Sequence, residues 1–325
     1  YERAKRIYCE SIESIAIRVA SLYFAAISAQ SDYNQSVTKL KDLEDLYAMS
    51  QKRLSLGTIT KGDLLQLELS MLNAKVTRNE AQVKMNDAFY DLFSYMRISQ
   101  DEKVILLPPE NVIEQVLNVN EVLQKAMNNS SHAIGQDLDL LSAQQNLVKA
   151  KAAQGIQMQL NAEVGFNRTT DGFASAYSHL QDNEIIGLTI SVPIFDWGVK
   201  KGRVMVAKSN LELAKTKKEQ ADNDYVQSIK REVMQFSLQA EQCRTSQRAQ
   251  KISEERYEIT KKRFETGNVS VTELNTALQE LETAKAQYIG QLQSYWNYYY
   301  TLRKFTLYDW VEHRDLIADF EALVK

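Results

Sequence analysis

The side chains able to do chemistry are few and dispersed. His132, His179 and His313 are scattered along the 325 residues. No spacing joins them to cysteines or carboxylates as a metal-ligand set, and no glycine-rich loop could cradle a phosphate. Cys9 and Cys243 lie far apart within helical apolar patterns, so they read as small buried residues rather than a disulfide or metal pair. The run Tyr298-Tyr299-Tyr300 could stack a ligand, but Tyr298 falls on a helical seam and reads as packing. No catalytic, cofactor-binding or metal-binding residue is assigned. What remains is a pair of carboxylates, Asp63 and Glu273, each six residues after a glycine (Gly57, Gly267) and three after a hydroxyl residue (Thr60, Ser270). That spacing lets a hydroxyl and a carboxylate cap the first turn of a helix reciprocally. An acid there is also favoured by about 0.3–1 kcal/mol through the helix dipole.

The two carboxylates belong to two copies of one unit. Arg53-Leu-Ser-Leu-Gly57, followed by Leu64, Ala74 and Lys75, recurs 210 residues on as Arg263-Phe-Glu-Thr-Gly267, followed by Leu274, Ala284 and Lys285. The same offset relates Phe89, Tyr90 and Leu92 to Tyr299, Tyr300 and Leu302. Each copy reads as a helical hairpin: one helix runs into the glycine, which supplies the positive φ wanted past a helix end, and a second leaves after the cap.

The elements that must hold these tips are long helices. Only three prolines and eleven glycines punctuate the chain, and inside a helix each costs about 3 and about 1 kcal/mol respectively. After the first tip, Leu64, Leu67, Met71, Ala74, Ala81, Met85, Ala88 and Leu92 follow a heptad seam broken at Arg78. A shift of 210 gives Leu274, Ala277, Leu281, Ala284, Tyr288, Tyr295, Tyr298 and Leu302, broken at Gln291. A second stripe, Leu65, Leu69, Leu72, Val76, Val83 and Tyr90, lies beside the first seam, whereas the second copy has no clear counterpart. The helix before the second tip is expected over about 199–264, roughly 100 Å at 1.5 Å per residue. Its apolar positions Val204, Ala207, Leu211, Ala214, Ala221, Tyr225, Ile229, Val233, Phe236, Ala240 and Cys243 mix threes and fours, so a strict two-stranded coil fits poorly. The net charge of −3, from 42 acids and 39 bases mixed throughout, argues against a nucleic-acid partner. No stretch approaches the roughly 20 apolar residues of a spanning helix.

Between the hairpins the period changes to two. Leu160, Ala162, Val164 and Phe166 alternate with polar residues and glycine, as do Ile186, Leu188, Ile190 and Val192, and a polar connection over 168–183 separates them. One apolar and one polar face suits either a soluble sheet over a core or a barrel with lipid outside and water within. Two strands cannot close a barrel alone, and such long helices could not cover them compactly, so strands from other protomers are expected. A helix is expected over 131–153 with Ile134, Leu138, Leu141, Val148 and Ala152 on one face, and a short amphipathic tail over 305–325.

The segment Ser191-Val-Pro-Ile-Phe-Asp-Trp-Gly198 with its downstream Ala207, and the tip motifs Arg53 to Ala74 and Arg263 to Ala284, resemble the TolC family of outer-membrane efflux proteins. The resemblance runs over essentially the whole chain, except that the family's first helical segment and first strand pair have no counterpart. Shifting the strand region upstream by 210 also places its partner before Tyr1, so an N-terminally truncated member is expected. The resemblance implies a mainly α fold: antiparallel coiled-coil hairpins forming an α-barrel, plus a strand pair contributing to a trimeric transmembrane β-barrel. It implies hairpins over 1–98 and 197–304, equatorial segments over 99–155 and 305–325, and a membrane strand pair over 156–196. The expected function is an exit duct of a tripartite efflux or type I secretion system, without enzyme chemistry or cofactor. Expected partners are two further copies, a periplasmic adaptor, an inner-membrane transporter and outer-membrane lipid. The location would be the outer membrane of a Gram-negative bacterium, with most of the chain in the periplasm.

The resemblance also distributes roles. Asp63 and Glu273 would narrow the tunnel tip, or else serve only as helix caps; the second acid of some relatives is replaced by Gln66 and Thr276. Arg53, Gly57, Arg263 and Gly267 would form the tip turns and meet the adaptor. Pro193, Phe195, Trp197 and Gly198 would form the barrel–tunnel junction, with Phe195 and Trp197 either anchoring at the membrane edge or packing the junction. The rival is a soluble coiled-coil scaffold or tether, which accounts for the heptads but leaves the strand pair and duplicated tips unexplained.

Overall fold

A computed structural model describes residues 1–99, 104–109, 117–167, 181–192 and 194–318. The chain falls into two compact units, one comprising 1–131 and 225–325 and the other 132–224. The larger unit holds helices α1 (Glu2–Ser55), α2 (Lys61–Met96), α3 (Val119–Asn129) and α6 (Val271–Thr306). It also holds most of α5 (Val199–Glu265), a helix of 67 residues.

The duplication is visible in the helix bounds. Ser55 and Glu265, Lys61 and Val271, and Met96 and Thr306 each stand 210 apart. Both first helices end alike. Gly57 N–H donates to Leu54 O and Thr58 N–H to Arg53 O, at 3.0 Å each; Gly267 N–H donates to Phe264 O and Asn268 N–H to Arg263 O, at 2.9 Å each. These are paired Schellman closures, with φ of +72° at Gly57 and +83° at Gly267. The repeat reaches further than the sequence motifs: α2 and α6 also end on left-handed residues at the same offset, Arg97 and Leu307.

Packing follows the predicted seams. On α2, Leu67, Ala74, Ala81 and Leu92 are buried and Leu64, Met71, Met85 and Ala88 are half-buried. All eleven apolar positions read on α5 are buried or half-buried. Tyr225, Ile229, Val233, Phe236, Ala240 and Cys243 join a core with Phe24, Ile27, Leu292, Tyr295 and Leu302. A second core beneath the tips joins Leu43, Leu46, Leu67, Tyr257, Phe264 and Leu274. The second stripe of α2 stays outside both: Leu65, Leu69, Leu72, Val76, Val83 and Tyr90 are 52–62% exposed. α6 differs from the single-seam expectation, because Leu278, Ile289, Leu292 and Tyr299 are buried as well. It packs on two sides, against α1 through Lys39–Glu282 and Arg303–Glu13 and against α5 through Gln239–Gln291 and the Phe236–Tyr295 ring pair.

α1 qualifies the sequence reading in one respect. It contains an 18-residue window of mean hydropathy 1.5, long and apolar enough for a membrane span by composition. Yet within α1, Glu13 is ion-paired with Arg303 and Phe24 and Ile27 sit in the core, so this helix packs against protein.

The shorter segments are tied to these helices. Residues 104–109 form an extended strap: the Gln30 amide both donates to Leu106 O (2.8 Å) and accepts from Leu106 N–H (3.0 Å), while Tyr23 Oη donates to Leu107 O (2.7 Å). After α6, β3 (Tyr308–Asp309) pairs with β4 (Arg314–Asp315) and Trp310 is buried. The end of the expected tail lies outside the described residues.

The smaller unit holds α4 (Ser131–Ala152), the start of α5, and the antiparallel strands β1 (Gln157–Asn167) and β2 (Gln181–Ser191). The strands are longer than the alternation alone suggests. In register, Met158 faces Ile190, Leu160 faces Leu188 and Ala162 faces Ile186, giving one apolar face. That face is exposed, with Leu160 at 70% and Ile186 at 79%. The expected apolar face of α4 is also largely uncovered, since Leu138, Leu141 and Val148 are exposed. Within this unit the strand pair and the two helices leave these apolar faces uncovered.

Candidate functional site at the hairpin tips

The tips are built by the caps that the sequence announces, but not symmetrically. At the first tip, Thr60 Oγ1 accepts from Asp63 N–H at 3.1 Å, and Asp63 Oδ2 accepts from Thr60 N–H (3.1 Å) and Thr60 Oγ1–H (2.7 Å). The Thr60 hydroxyl and backbone N–H together hold the Asp63 carboxyl below its ordinary range. At the second tip only half of this is made. Ser270 Oγ accepts from Glu273 N–H at 3.2 Å, while the Glu273 carboxylate has no hydrogen bond among the described residues and is exposed. The longer glutamate side chain leaves the turn; the shorter aspartate is held in it.

Arg53 and Arg263 differ as well. Arg263 is exposed, whereas Arg53 is half-buried and reaches across to the second tip. Its Nη1 donates to Phe264 O at 3.2 Å, at the C-terminal end of α5, and its guanidinium lies 5.8 Å from the centre of the Phe264 ring. Phe264 O already accepts from Gly267 N–H, so Arg53 is its second donor, and a cation at a helix C-terminus complements the dipole. A Cβ on Gly267 would stand 2.8 Å from Arg53 Nη2, so this glycine serves both the left-handed turn and the approach of Arg53. A cleft of about 330 Å³ lies between the tips, lined by Arg53, Gly57, Asp63, Phe264, Gly267 and Ser270 among others. Thus the structure brings Arg53, Gly57, Asp63 and Gly267 together. Arg263 and Glu273 stand on the same tips but line no part of that cleft.

Two buried polar clusters that sequence reasoning missed cross-link the helices. Near the tips, Asp42 on α1 accepts from Tyr257 Oη and Lys261 Nζ on α5, both at 2.7 Å. Burial first, and then the Asp42 carboxylate, push the Tyr257 hydroxyl well above its ordinary range. Farther along, Arg303 on α6 bridges Glu13 and Asp309, each at 3.0 Å. Asp309 also accepts from Tyr299 Oη and from Val311 and Glu312 N–H. Burial pushes Glu13 above the ordinary carboxylate range although Arg303 draws it down. Asp309 is held low: burial opposes its ionisation, but the Glu312 N–H, Tyr299 and the other donors outweigh it.

At the strand–helix junction, Asp196 caps α5, its Oδ1 accepting from Gly198 N–H (3.0 Å) and its Oδ2 from Lys200 N–H (2.9 Å). Phe195 and Trp197 form an edge-to-face pair at 4.5 Å and are 71% and 87% exposed. Both Trp197 (φ +54°) and Gly198 (φ +81°) are left-handed. Pro193 lies outside the described residues. Cys9 and Cys243 are buried free thiols, and burial pushes Cys243 up to about 11.

Comparison with known proteins fits this frame. The family model for outer membrane efflux proteins matches residues 122–306. No curated protein matches the chain by sequence. Among solved structures, the Campylobacter jejuni CmeC outer membrane channel is similar with a TM-score of 0.72 at 17% identity, over 99% of this chain and 68% of that one. VceC, an outer membrane protein of Vibrio cholerae, gives 0.69 at 14% identity over 94% of this chain and 72% of its own. The open-state MtrE outer membrane channel of Neisseria gonorrhoeae gives 0.66 at 17% identity over 98% and 72%. These neighbours share the mainly helical fold with its strand pair. With the family match spanning more than half of its residues, from α3 through the strand pair to the end of α6, the chain belongs to the outer membrane efflux protein family.

Proposed function

We propose that three copies of this chain assemble into the exit duct of a tripartite efflux or type I secretion system. The duct carries substrates from an inner-membrane transporter, joined through a periplasmic adaptor, across the outer membrane. The observation that carries this reading is the outer stripe of α2. Six large apolar side chains, each more than half exposed, run beside a seam already satisfied within the protomer. Covering each is worth roughly 1 kcal/mol, half the value of a full burial, so a neighbouring helix of another copy is the natural occupant. The strand pair argues alike, because two strands with an exposed apolar face need further strands and lipid.

In this reading 1–98 and 197–304 are the periplasmic hairpins, 156–196 crosses the outer membrane, and 99–155 with 305–325 forms the belt between. The hairpin tips meet the adaptor, Gly57 and Gly267 shaping them and exposed Arg263 offering a charge, while Arg53 holds the two tips of one protomer together. The tunnel constriction falls to Glu273 more than to Asp63, because only Glu273 has a carboxylate free of its own helix cap. Substituting Val76→Asp and Val83→Asp tests the assembly. Native mass spectrometry of the detergent-extracted protein should show trimers for the parent and monomers of unchanged helix content for the variant; trimers in both would remove the stripe from the interface.

A further inference from the structure

The segments on either side of the strand pair carry an unbalanced charge. Residues 145–156 and 194–211 contain six bases, Lys149, Lys151, Lys200, Lys201, Arg203 and Lys208, and one acid, Asp196. Asp196 is turned onto the start of α5, where it accepts from two backbone N–H groups. None of the six bases makes an ion pair among the described residues, and all but half-buried Lys200 are exposed.

Beside these bases lies an open concavity of about 550 Å³ lined by Gln154, Ile194, Phe195, Asp196, Trp197, Lys200 and Lys201 among others; the Asp196 carboxylate in this wall is engaged by the Gly198 and Lys200 N–H groups. Trp197 is its least expected wall. A bulky residue at φ +54° is a backbone outlier costing on the order of 1–2 kcal/mol, and here the strained backbone presents an indole that is 87% exposed. The turn also lets Asp196 cap α5 and brings Trp197 against Phe195, and it leaves the outer face of the indole open beside the lysines. Two of the groove's lining residues, Gln154 and Ile194, each stand three positions beyond the paired strand ends Gln157 and Ser191, and the strands' apolar face pairs Met158 with Ile190 and Leu160 with Leu188. An apolar band, then an aromatic pair, then lysines without ion pairs matches in order the acyl chain, glycerol and phosphate of a phospholipid.

We propose that this groove binds an anionic phospholipid of the membrane's periplasmic leaflet. Lys200 and Lys201 hold the headgroup phosphate, Gln154 hydrogen-bonds at the headgroup, and Trp197 and Phe195 lie along the glycerol and upper acyl chain. The inference rests on the outer-membrane duct reading above and names the lipid chemistry at its edge.

The test uses the full protein extracted from outer membranes. It is delipidated, offered equimolar dioleoyl phosphatidylglycerol and phosphatidylethanolamine, and read by native mass spectrometry. The parent should retain phosphatidylglycerol in preference, and Lys200→Gln with Lys201→Gln should lower that retention on the order of five-fold per lysine. Trp197→Ala should lower retention of both lipids. The Lys149→Gln and Lys208→Gln pair, outside the groove, should leave the preference largely intact, and the trimer mass in each spectrum separates assembly defects from lost binding. Equal retention of the two lipids, unchanged retention in the Lys200/Lys201 variant, or full displacement by soluble glycerol 3-phosphate would overturn the proposal; the third would leave the groove to a free anion. Channel conductance of the same preparations reads the duct separately: intact conductance without lipid preference sinks only this inference, and absent conductance from trimers sinks the duct.

Discussion

Replacing Arg303 by methionine should be the most damaging single change in the helical unit. Its guanidinium, with a side chain 19% exposed, is the ion-pair partner of Glu13 and of Asp309, whose side chains are 5% and 6% exposed. Asp309 keeps Tyr299 and two backbone donors when the arginine is lost, but Glu13 keeps nothing, because its second oxygen is already without a partner. Removing one member of such a buried pair costs about 3–5 kcal/mol. For a chain of 325 residues that is roughly 4–7 °C in the thermal midpoint, read by the helical circular dichroism of the detergent-solubilised protein. The deficit should depend on pH with a definite sign. Burial already sets Glu13 above the ordinary range, and without Arg303 it rises further, so the folded state holds a proton that the unfolded state has released. Stability is then lost as pH rises from the ordinary carboxylate range through the raised value, and Arg303→Met should be less harmful near pH 5 than at pH 8. Adding Glu13→Gln should restore most of the loss, since it removes the charge left bare. A double variant as unstable as Arg303→Met, or a deficit that grows toward pH 5, would refute the ion-pair account.

Three further predictions follow from the tips and the strands. Gly267→Ala should destabilise more than Gly57→Ala: both force a side chain to a positive φ at about 1–2 kcal/mol, but only at Gly267 would the new Cβ also displace Arg53, as paired thermal melts would show. Thr60→Ala should cost more than Ser270→Ala, within the usual span of about 0.5–2 kcal/mol for a lost cap, because Thr60 also serves the Asp63 carboxylate; the excess should shrink as pH falls through the lowered Asp63 pKa, since a protonated Asp63 no longer rewards the cap. Ile186→Arg on the apolar strand face should cost about 2–4 kcal/mol in a bilayer, whereas Gln159→Arg on the opposite face should be tolerated; comparable trimer yields from both variants would count against the facing assigned to the strands.

Much of the architecture could be read from residue spacing, because the physics that sets it is local. A glycine past a helix end, a hydroxyl three residues before an acid and the heptad seam fix the tips and bounds of α1, α2, α5 and α6 without reference to anything distant. Period-two alternation located β1 and β2 for the same reason, although their ends at Gln157 and Gln181 lie where the alternation weakens. What escaped depends on distant partners. Glu13 and Arg303 are 290 positions apart, and each alone reads as a solvated charge on a helix. Arg53 offers no sequence sign that it will cross to Phe264. The second buried face of α6 was hidden because its stripe, Leu278, Ile289, Leu292, Trp296 and Tyr299, is broken by the charged Glu282 and Lys285. Asp63 and Glu273 looked equivalent by position; the extra methylene of glutamate made one a reciprocal cap and left the other free.

The central claim is that this chain lines a duct narrowed at its tips. Its most direct test is single-channel conductance across a planar bilayer, comparing the purified protein with Glu273→Gln, Asp63→Asn and the two together. The account predicts a small, cation-favouring conductance that widens or loses selectivity with Glu273→Gln and changes little with Asp63→Asn. No conductance from well-folded, reconstituted trimers would contradict it, and a larger effect at Asp63 than at Glu273 would reverse the assignment of the constriction.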